Sequence, residues 1–275
     1  MKLHTLIIGL AIIVILGAAG LFLWRQANPS RDLDGIGSET NSAAGNDFAL
    51  REVTKTFHKD VAGAGGCDVN LLYPQIDSSA LGSDARDRMN GDIQNMVKQF
   101  LTTSDASIDD AATEWTESCA ADMTDVQSWV SEVGYDVKQN TNGILSIALS
   151  NYLNQGGAHP NITQLFLTFD VTTGMQLSLR DILDPAQIES FEVKEKQWLI
   201  DHSADQLFEE SLNEFKAYLA APSIDETNRY IDDALFYTTP TAIGIVYNSY
   251  AIAPYVAGSI VVELTREELG TIVVK

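Results

Sequence analysis

Residues 6–24 read LIIGLAIIVILGAAGLFLW, 19 positions without a charge, preceded only by MKLHT. Coiled as a helix, such a run spans about 28 Å, close to the hydrocarbon thickness of a bilayer. It constrains the rest of the chain more than any other feature, because it fixes the compartment in which the remainder folds. Two readings stay open. Gly17 and Ala19 are small enough for a signal-peptidase site, and residues 6–16 have the length of a signal h-region. The run continues through Leu21, Phe22 and Leu23 to Trp24, a residue suited to the membrane interface, which favours an uncleaved signal anchor. Either way the body is exported. The expected location is a bacterial inner membrane with the soluble domain in the periplasm or outside the cell, or secretion if the signal is cleaved. No cysteine occurs before Cys67, so lipid anchoring through cysteine is excluded.

The exported part is acidic. The whole chain has 17 Lys+Arg against 38 Asp+Glu, a net −21, and Lys2 and Arg25 both flank the apolar run, so the remainder carries −23. A field of that sign repels phosphate backbones and attracts cations, which argues against nucleic acid and for a cationic protein partner. With 45% apolar and 20% charged residues the composition is that of a folded protein, and 275 residues allow one large or two small domains.

Cys67 and Cys119 are the two cysteines. In an oxidising compartment an even pair reads as one disulfide, closing a loop of about 50 residues with roughly 3–4 kcal/mol of chain-entropy stabilisation. Two buried free thiols are the other reading. No CxxC or Cys/His spacing points to zinc or redox chemistry.

The periodicities predict an α+β fold, an N-terminal membrane helix or signal peptide followed by antiparallel sheets packed with helices. The expected divisions are 1–27 as signal anchor or signal peptide, 28–60 as a flexible stalk rich in Asn, Ser, Gly and Asp, 61–184 as an N-terminal α+β half, and 185–275 as a C-terminal α+β half. Val69, Leu71 and Tyr73 alternate as a strand. Met89, Ile93, Met96, Val97 and Phe100 recur at helical spacing, a stripe of core packing. The acidic stretch 104–123 reads as a short helix or an irregular excursion held by Cys119. Strands follow around Val133, over 144–153 and over 165–171, with Asn142-Gly143 and Thr173-Gly174 as turns. Residues 186–220 are helical, with Phe191, Trp198, Leu199, Leu207, Phe208, Leu212, Phe215 and Leu219 on one face. A short helix over 224–234 and strands at 235–237, 242–247 and 256–264 complete the pattern.

No GxSxG, SxxK, HExxH, Walker A or GxGxxG motif occurs. His58, His159 and His202 are the histidines after the apolar run, so a three-histidine metal site would need all of them; His202 with Asp201 and Asp205 could bind a metal on a helix face, a solvated histidine being the plainer reading. The expectation is therefore a chain without catalytic residues, metal or cofactor. A carboxylate pair of the glycosidase kind is not signalled by spacing, although the many acids leave one open.

Residues 144–184 read ILSIALSNYLNQGGAHPNITQLFLTFDVTTGMQLSLRDILD. The order is a strand, a Gly156-Gly157 stop, a corner at Ala158-His159-Pro160, a second strand and a Thr-Gly turn. This resembles the DUF3298-type exported domain family, found outside the membrane in the lysozyme-sensing anti-sigma factor RsiV and ahead of the catalytic domain in the peptidoglycan deacetylase PdaC. A second block, residues 243–258 (IGIVYNSYAIAPYVAG), is similar to the family's tyrosine- and proline-rich hairpin. The resemblance implies an α+β domain in two parts, which in the sensor member binds lysozyme directly. It places candidate binding residues at Tyr250, Pro254 and Tyr255 on the hairpin and at His159 on the corner, with packed turns as the plainer reading of each. With only MKLHT before the apolar run and no catalytic domain after the match, neither the sigma-factor role nor deacetylation is carried over. The expected function is a non-enzymatic, membrane-tethered envelope binding domain for a cationic protein such as a lysozyme. The alternatives are a cell-wall glycan ligand, a carbohydrate-active enzyme acting on peptidoglycan, and a structural partner of another envelope protein.

Overall fold

The computed structural model describes residues 48–102, 106–123, 127–222 and 230–273, all within the compact unit Asn41–Lys275. The apolar run of residues 6–24 lies outside the described residues, and no described helix is long and apolar enough to cross a membrane. Six strands build the larger sheet in the order β1 (Leu50–Asp60), β2 (Gly66–Ile76), β3 (Trp129–Thr141), β4 (Ile144–Asn154), β5 (Asn161–Asp170) and β6 (Met175–Gln176). Between β2 and β3 the chain forms α1 (Ser83–Gln99) and α2 (Ile108–Asp122). After β6 come α3 (Leu179–Ile182), α4 (Ile188–Ser203), α5 (Glu209–Ala220) and α6 (Tyr230–Asp233). A three-stranded sheet of β7 (Phe236–Thr238), β8 (Ala242–Tyr247) and β9 (Ile260–Thr265) follows, then α7 (Arg266–Leu269). The fold is thus α+β, with helices on sheets.

Alternation along the strands makes the first core. Val69, Leu71 and Tyr73 of β2, Val133 of β3, Leu145, Ile147 and Leu149 of β4, and Leu167 and Phe169 of β5 share one face. Against it pack Met89, Ile93 and Val97, spaced four apart on α1, with Ile108 and Ala112 of α2. The acidic stretch is therefore a helix. Ser107 caps it by accepting from the Asp110 N–H, and the Cys67–Cys119 disulfide ties it to β2 across a Cα–Cα distance of 6.1 Å.

Two expectations are corrected. Neighbouring strands are antiparallel except β2 and β3, which run parallel, because the connection through α1 and α2 carries the chain back to the end of the sheet at which β2 began. Residues 50–60, assigned to the stalk, form β1. Leu50, Val53 and Phe57 pack on the core while Lys55 and Lys59 extend over α2 to Asp109 and Glu117. The lysine stems supply part of the apolar cover that the sequence lacks in apolar residues. The same charges discourage pairing at the open edge.

Two turns need their glycines. The β3–β4 hairpin turns at Asn142 (φ 59°) and Gly143 (φ 72°), the pair anticipated from sequence. At Gly174 (φ 68°) a Cβ would lie 2.4 Å from the Ala85 carbonyl oxygen, so only glycine lets the turn reach α1.

The second core lies under the small sheet. Phe236, Ile243, Ile245, Val262 and Leu264 face Phe191 and Leu199 of α4 and Phe215 of α5. The stretch read as one helical face is broken between Ser203 and Glu209, where the Phe208 N–H donates to the Ile252 carbonyl. The opposite face of the small sheet meets the larger one through Tyr237 and Val246 against Ala148 and Phe166. The Tyr237 ring lies across Gly244, where a Cβ would come within 2.2 Å of it. The layers therefore run helix, sheet, sheet, helix.

Candidate functional site

The two motifs that carry the resemblance meet at one edge of this sandwich. The His159 ring stacks on Tyr255 with centroids 3.8 Å apart and planes 19° from parallel. The Tyr255 hydroxyl donates to the Pro160 carbonyl at 2.7 Å, and His159 Nδ1 lies 3.0 Å from the same oxygen. Tyr250 approaches Tyr255 at 5.7 Å between centroids. A second clasp sits close by in the chain, where Asn248 accepts from the Gln164 N–H at 3.0 Å and donates to its carbonyl at 2.9 Å. Such a two-bond amide clasp copies a strand pairing with a single side chain.

The local sequence explains the shape. Pro254 starts a one-turn helix at Tyr255–Ala257 that ends on Gly258 (φ 69°). Tyr250 takes a left-handed conformation (φ 71°), uncommon for a bulky side chain, and its N–H donates to the Ala253 carbonyl. The loop thus holds aromatic rings outward on a fixed frame. Tyr250 is 56% exposed and Val256 91%, His159 is exposed, and Pro254 and Tyr255 are half-buried. All four anticipated binding residues are brought together, and Val256 and Tyr152 join them. Burial raises the Tyr255 phenol above its ordinary range, with Tyr250 adding to it. Burial likewise raises Tyr152, helped by the neighbouring carboxylate of Glu132 and by Tyr255, and opposed by a hydrogen bond from Asn154. These tyrosines stay neutral donors at physiological pH.

Comparison with known proteins divides the chain in two. Residues 66–162 match the family model described as Deacetylase PdaC, and residues 186–267 match that described as Protein of unknown function (DUF3298). The body joins a PdaC-type segment to a DUF3298 segment. Solved structures with this fold include a DUF3298 family protein from Pseudomonas aeruginosa PAO1, 23% identical, covering 82% of this chain and 94% of that one at a TM-score of 0.56. A DUF3298 family member from Bacteroides fragilis NCTC 9343 is 18% identical and covers 84% of this chain and 96% of that one at a TM-score of 0.59. No curated protein matches. The patch straddles the two segments, with Tyr152 and His159 from the PdaC-type segment and Tyr250 and Tyr255 from the DUF3298 segment.

The DUF3298 segment also buries charges that sequence reading passed over. Glu192, Glu195 and Lys196 of α4 are buried among apolar residues. Lys196 donates to Glu195 at 2.9 Å, Tyr247 donates to Glu195 at 2.5 Å, and Tyr218 donates to Glu192 at 2.5 Å. Burial first, and then Glu192, push the Tyr218 phenol far above its ordinary value. The available signal was spacing, since Glu192 and Glu195 fall on the helix face of Ile188, Phe191 and Leu199. On β1, ahead of the PdaC-type segment, His58 lies between Asp68 at 2.7 Å and Asp60 at 3.0 Å. His202 stacks on Trp198 at 4.5 Å on the surface of α4. Among the described residues no three His, Cys, Asp or Glu side chains are grouped to hold a metal ion.

Proposed function

We propose that the chain is a non-enzymatic binding domain of the bacterial cell envelope, tethered through residues 6–24, which captures a cationic glycan hydrolase of the lysozyme type. The observation that carries this is the composite patch. Exposed Tyr250 and Val256, with Pro254, Tyr255 and His159 behind them, stand on a frame fixed by hydrogen bonds, the arrangement of a hot spot with little conformational entropy left to lose. The charge of −23 in the exported part speeds encounter with a basic partner, while the rings supply the lasting contact. Buried carboxylates do occur, but Glu192 and Glu195 are occupied by tyrosine and lysine inside a core. That favours binding over catalysis.

Calorimetric titration of the full chain in detergent with a lysozyme, at two salt concentrations, tests the reading. Saturable binding that survives high salt and inhibits glycan hydrolysis is expected. Val256→Asp is the sharpest probe, because the side chain is almost fully exposed and its replacement leaves the fold alone. Affinity should fall by at least about tenfold with the melting temperature unchanged. Unchanged affinity removes the patch as the contact, and release of glycan fragments from purified peptidoglycan by the chain alone removes the non-enzymatic reading.

A further inference from the structure

The small sheet covers only part of the outer face of the larger one, and the uncovered part is a shaped surface. Strand register on that face sets Glu132 beside Tyr152, Gly134 beside Ser150 and Asp136 beside Ala148. The small sheet lies over Ala148 and Phe166. Next to that covered region, Gly134 lowers the floor into a lane, since a Cβ built on it would meet only Ser150 Oγ, at 3.7 Å. Tyr152 bounds one side of the lane. The other is bounded by the edge of the small sheet, where Tyr237 is buried against Ala148 and Phe166 and Lys138 Nζ lies 5.2 Å from its ring centroid.

Charge along the lane is uneven in an informative way. Glu132 and Asp136 lie four residues apart on one face of β3, so with alternate residues about 7 Å apart along a strand, one carboxylate stands on either side of Gly134. Asp136 is engaged by Lys138 at 2.6 Å. Glu132 has no lysine, arginine or histidine partner among the described residues. Glu132, Tyr152 and Ile162 form a row across three strands, about 10 Å long. Tyr255, bonded to Pro160, stands towards the far end of that row.

We propose that this lane binds a glycan with free amino groups, a polymer of the glucosamine type. The half-buried Tyr152 ring beside a floor lowered at Gly134 fits the flat apolar face of a pyranose ring, as aromatic side chains do when they hold amphipathic surfaces. An ammonium on the sugar meets Glu132 directly and gains from the adjacent ring of Tyr152. The −23 field disfavours anionic polymers and favours a cationic one. The lane shares Tyr152 and Tyr255 with the patch but needs neither Val256 nor Tyr250, so a change at Val256 tests the two readings separately.

Titration of the full chain in detergent with a glucosamine hexasaccharide and with its N-acetylated counterpart tests this. The free-amine hexasaccharide should bind saturably and the acetylated one several-fold more weakly. Glu132→Gln should weaken the free-amine complex by about fivefold, and Gly134→Val, which fills the lane from a strand position that accepts valine, should abolish it with little change in melting temperature. Asp122→Asn, which removes an exposed charge at the end of α2, should change nothing. Absence of binding, equal affinity for both sugars, or an equal loss in the Asp122 variant would overturn the assignment, the last by reducing it to attraction by the general field. Val256→Asp separates the two proposals, because it should spare the sugar complex while weakening hydrolase capture.

Discussion

Lys196 and Glu195 show what one residue can decide. Both sit inside the core of the DUF3298 segment, with Glu195 fully buried and Lys196 9% exposed. Desolvating two charges costs several kcal/mol, and mutual attraction with good hydrogen bonds offsets it. Lys196→Met should therefore destabilise the fold by about 3 kcal/mol, because it removes the ammonium beside a carboxylate that stays buried. The double variant Lys196→Met with Glu195→Gln should recover much of that loss, and urea unfolding of the two variants measures the difference. A rotamer-compatible methionine fills similar space, so a loss equal in the single and double variants would mean that packing rather than charge was disturbed. At this scale the sequence showed the apolar members of the α4 face, and the buried acids among them were legible only as interruptions of that face. The four patch residues were legible individually, but their meeting was not. Residue 159 and residue 255 are brought together by the packing of one sheet on another, which no local periodicity encodes.

β1 and α2 are elements whose stability comes from outside themselves. β1 is an edge strand with few apolar residues, held by pairing to β2 and by ion pairs to α2, and α2 is tethered through Cys119. Replacing Cys67 and Cys119 by serine opens a loop of 52 residues and should cost about 4 kcal/mol in the chain-entropy account. Chemical unfolding of the variant checks the magnitude, and loss of protection from amide exchange confined first to α2 and β1 checks the location. On the exposed side of β1, hydrogen bonds to Asp60 and then Asp68 raise His58 above its ordinary value of 6.5. The protonated ring is favoured by folding, so its contribution is complete below that ordinary value and fades as pH rises through the raised one. His58→Gln should accordingly narrow the gap to the parent chain as pH is taken from about 5.5 to about 8.5, followed by urea midpoints. A gap that widens with pH would reverse the sign and the assignment. The α1 stripe, the Asn142-Gly143 hairpin and β8 were readable because turn chemistry and period coincide there. β1 was not, because its inner face is built partly from lysine stems. Nor does alternation alone reveal that β2 and β3 run parallel, since a strand reads the same in either direction.

At the scale of the whole molecule, charge and shape separate into two jobs. The net −23 is spread over residues 26–275, whereas the Tyr255 and Val256 patch is small, local and apolar. Long-range attraction acts before contact and is screened over about 8 Å at physiological salt, while ring packing acts after contact and is nearly indifferent to salt. Association and dissociation should therefore respond to different changes. Raising ionic strength from about 0.05 M to about 0.5 M should slow capture of a cationic hydrolase by at least about tenfold and leave the dissociation rate within about twofold. Val256→Asp should do the reverse, shortening the residence time while the encounter rate stays close to that of the parent, since one added charge changes a field of −23 very little. Surface plasmon resonance with the hydrolase immobilised resolves both rates. If salt instead accelerated dissociation as strongly as it slowed association, the contact itself would be ionic, and the aromatic frame would be a clasp between the two sheets rather than a docking surface.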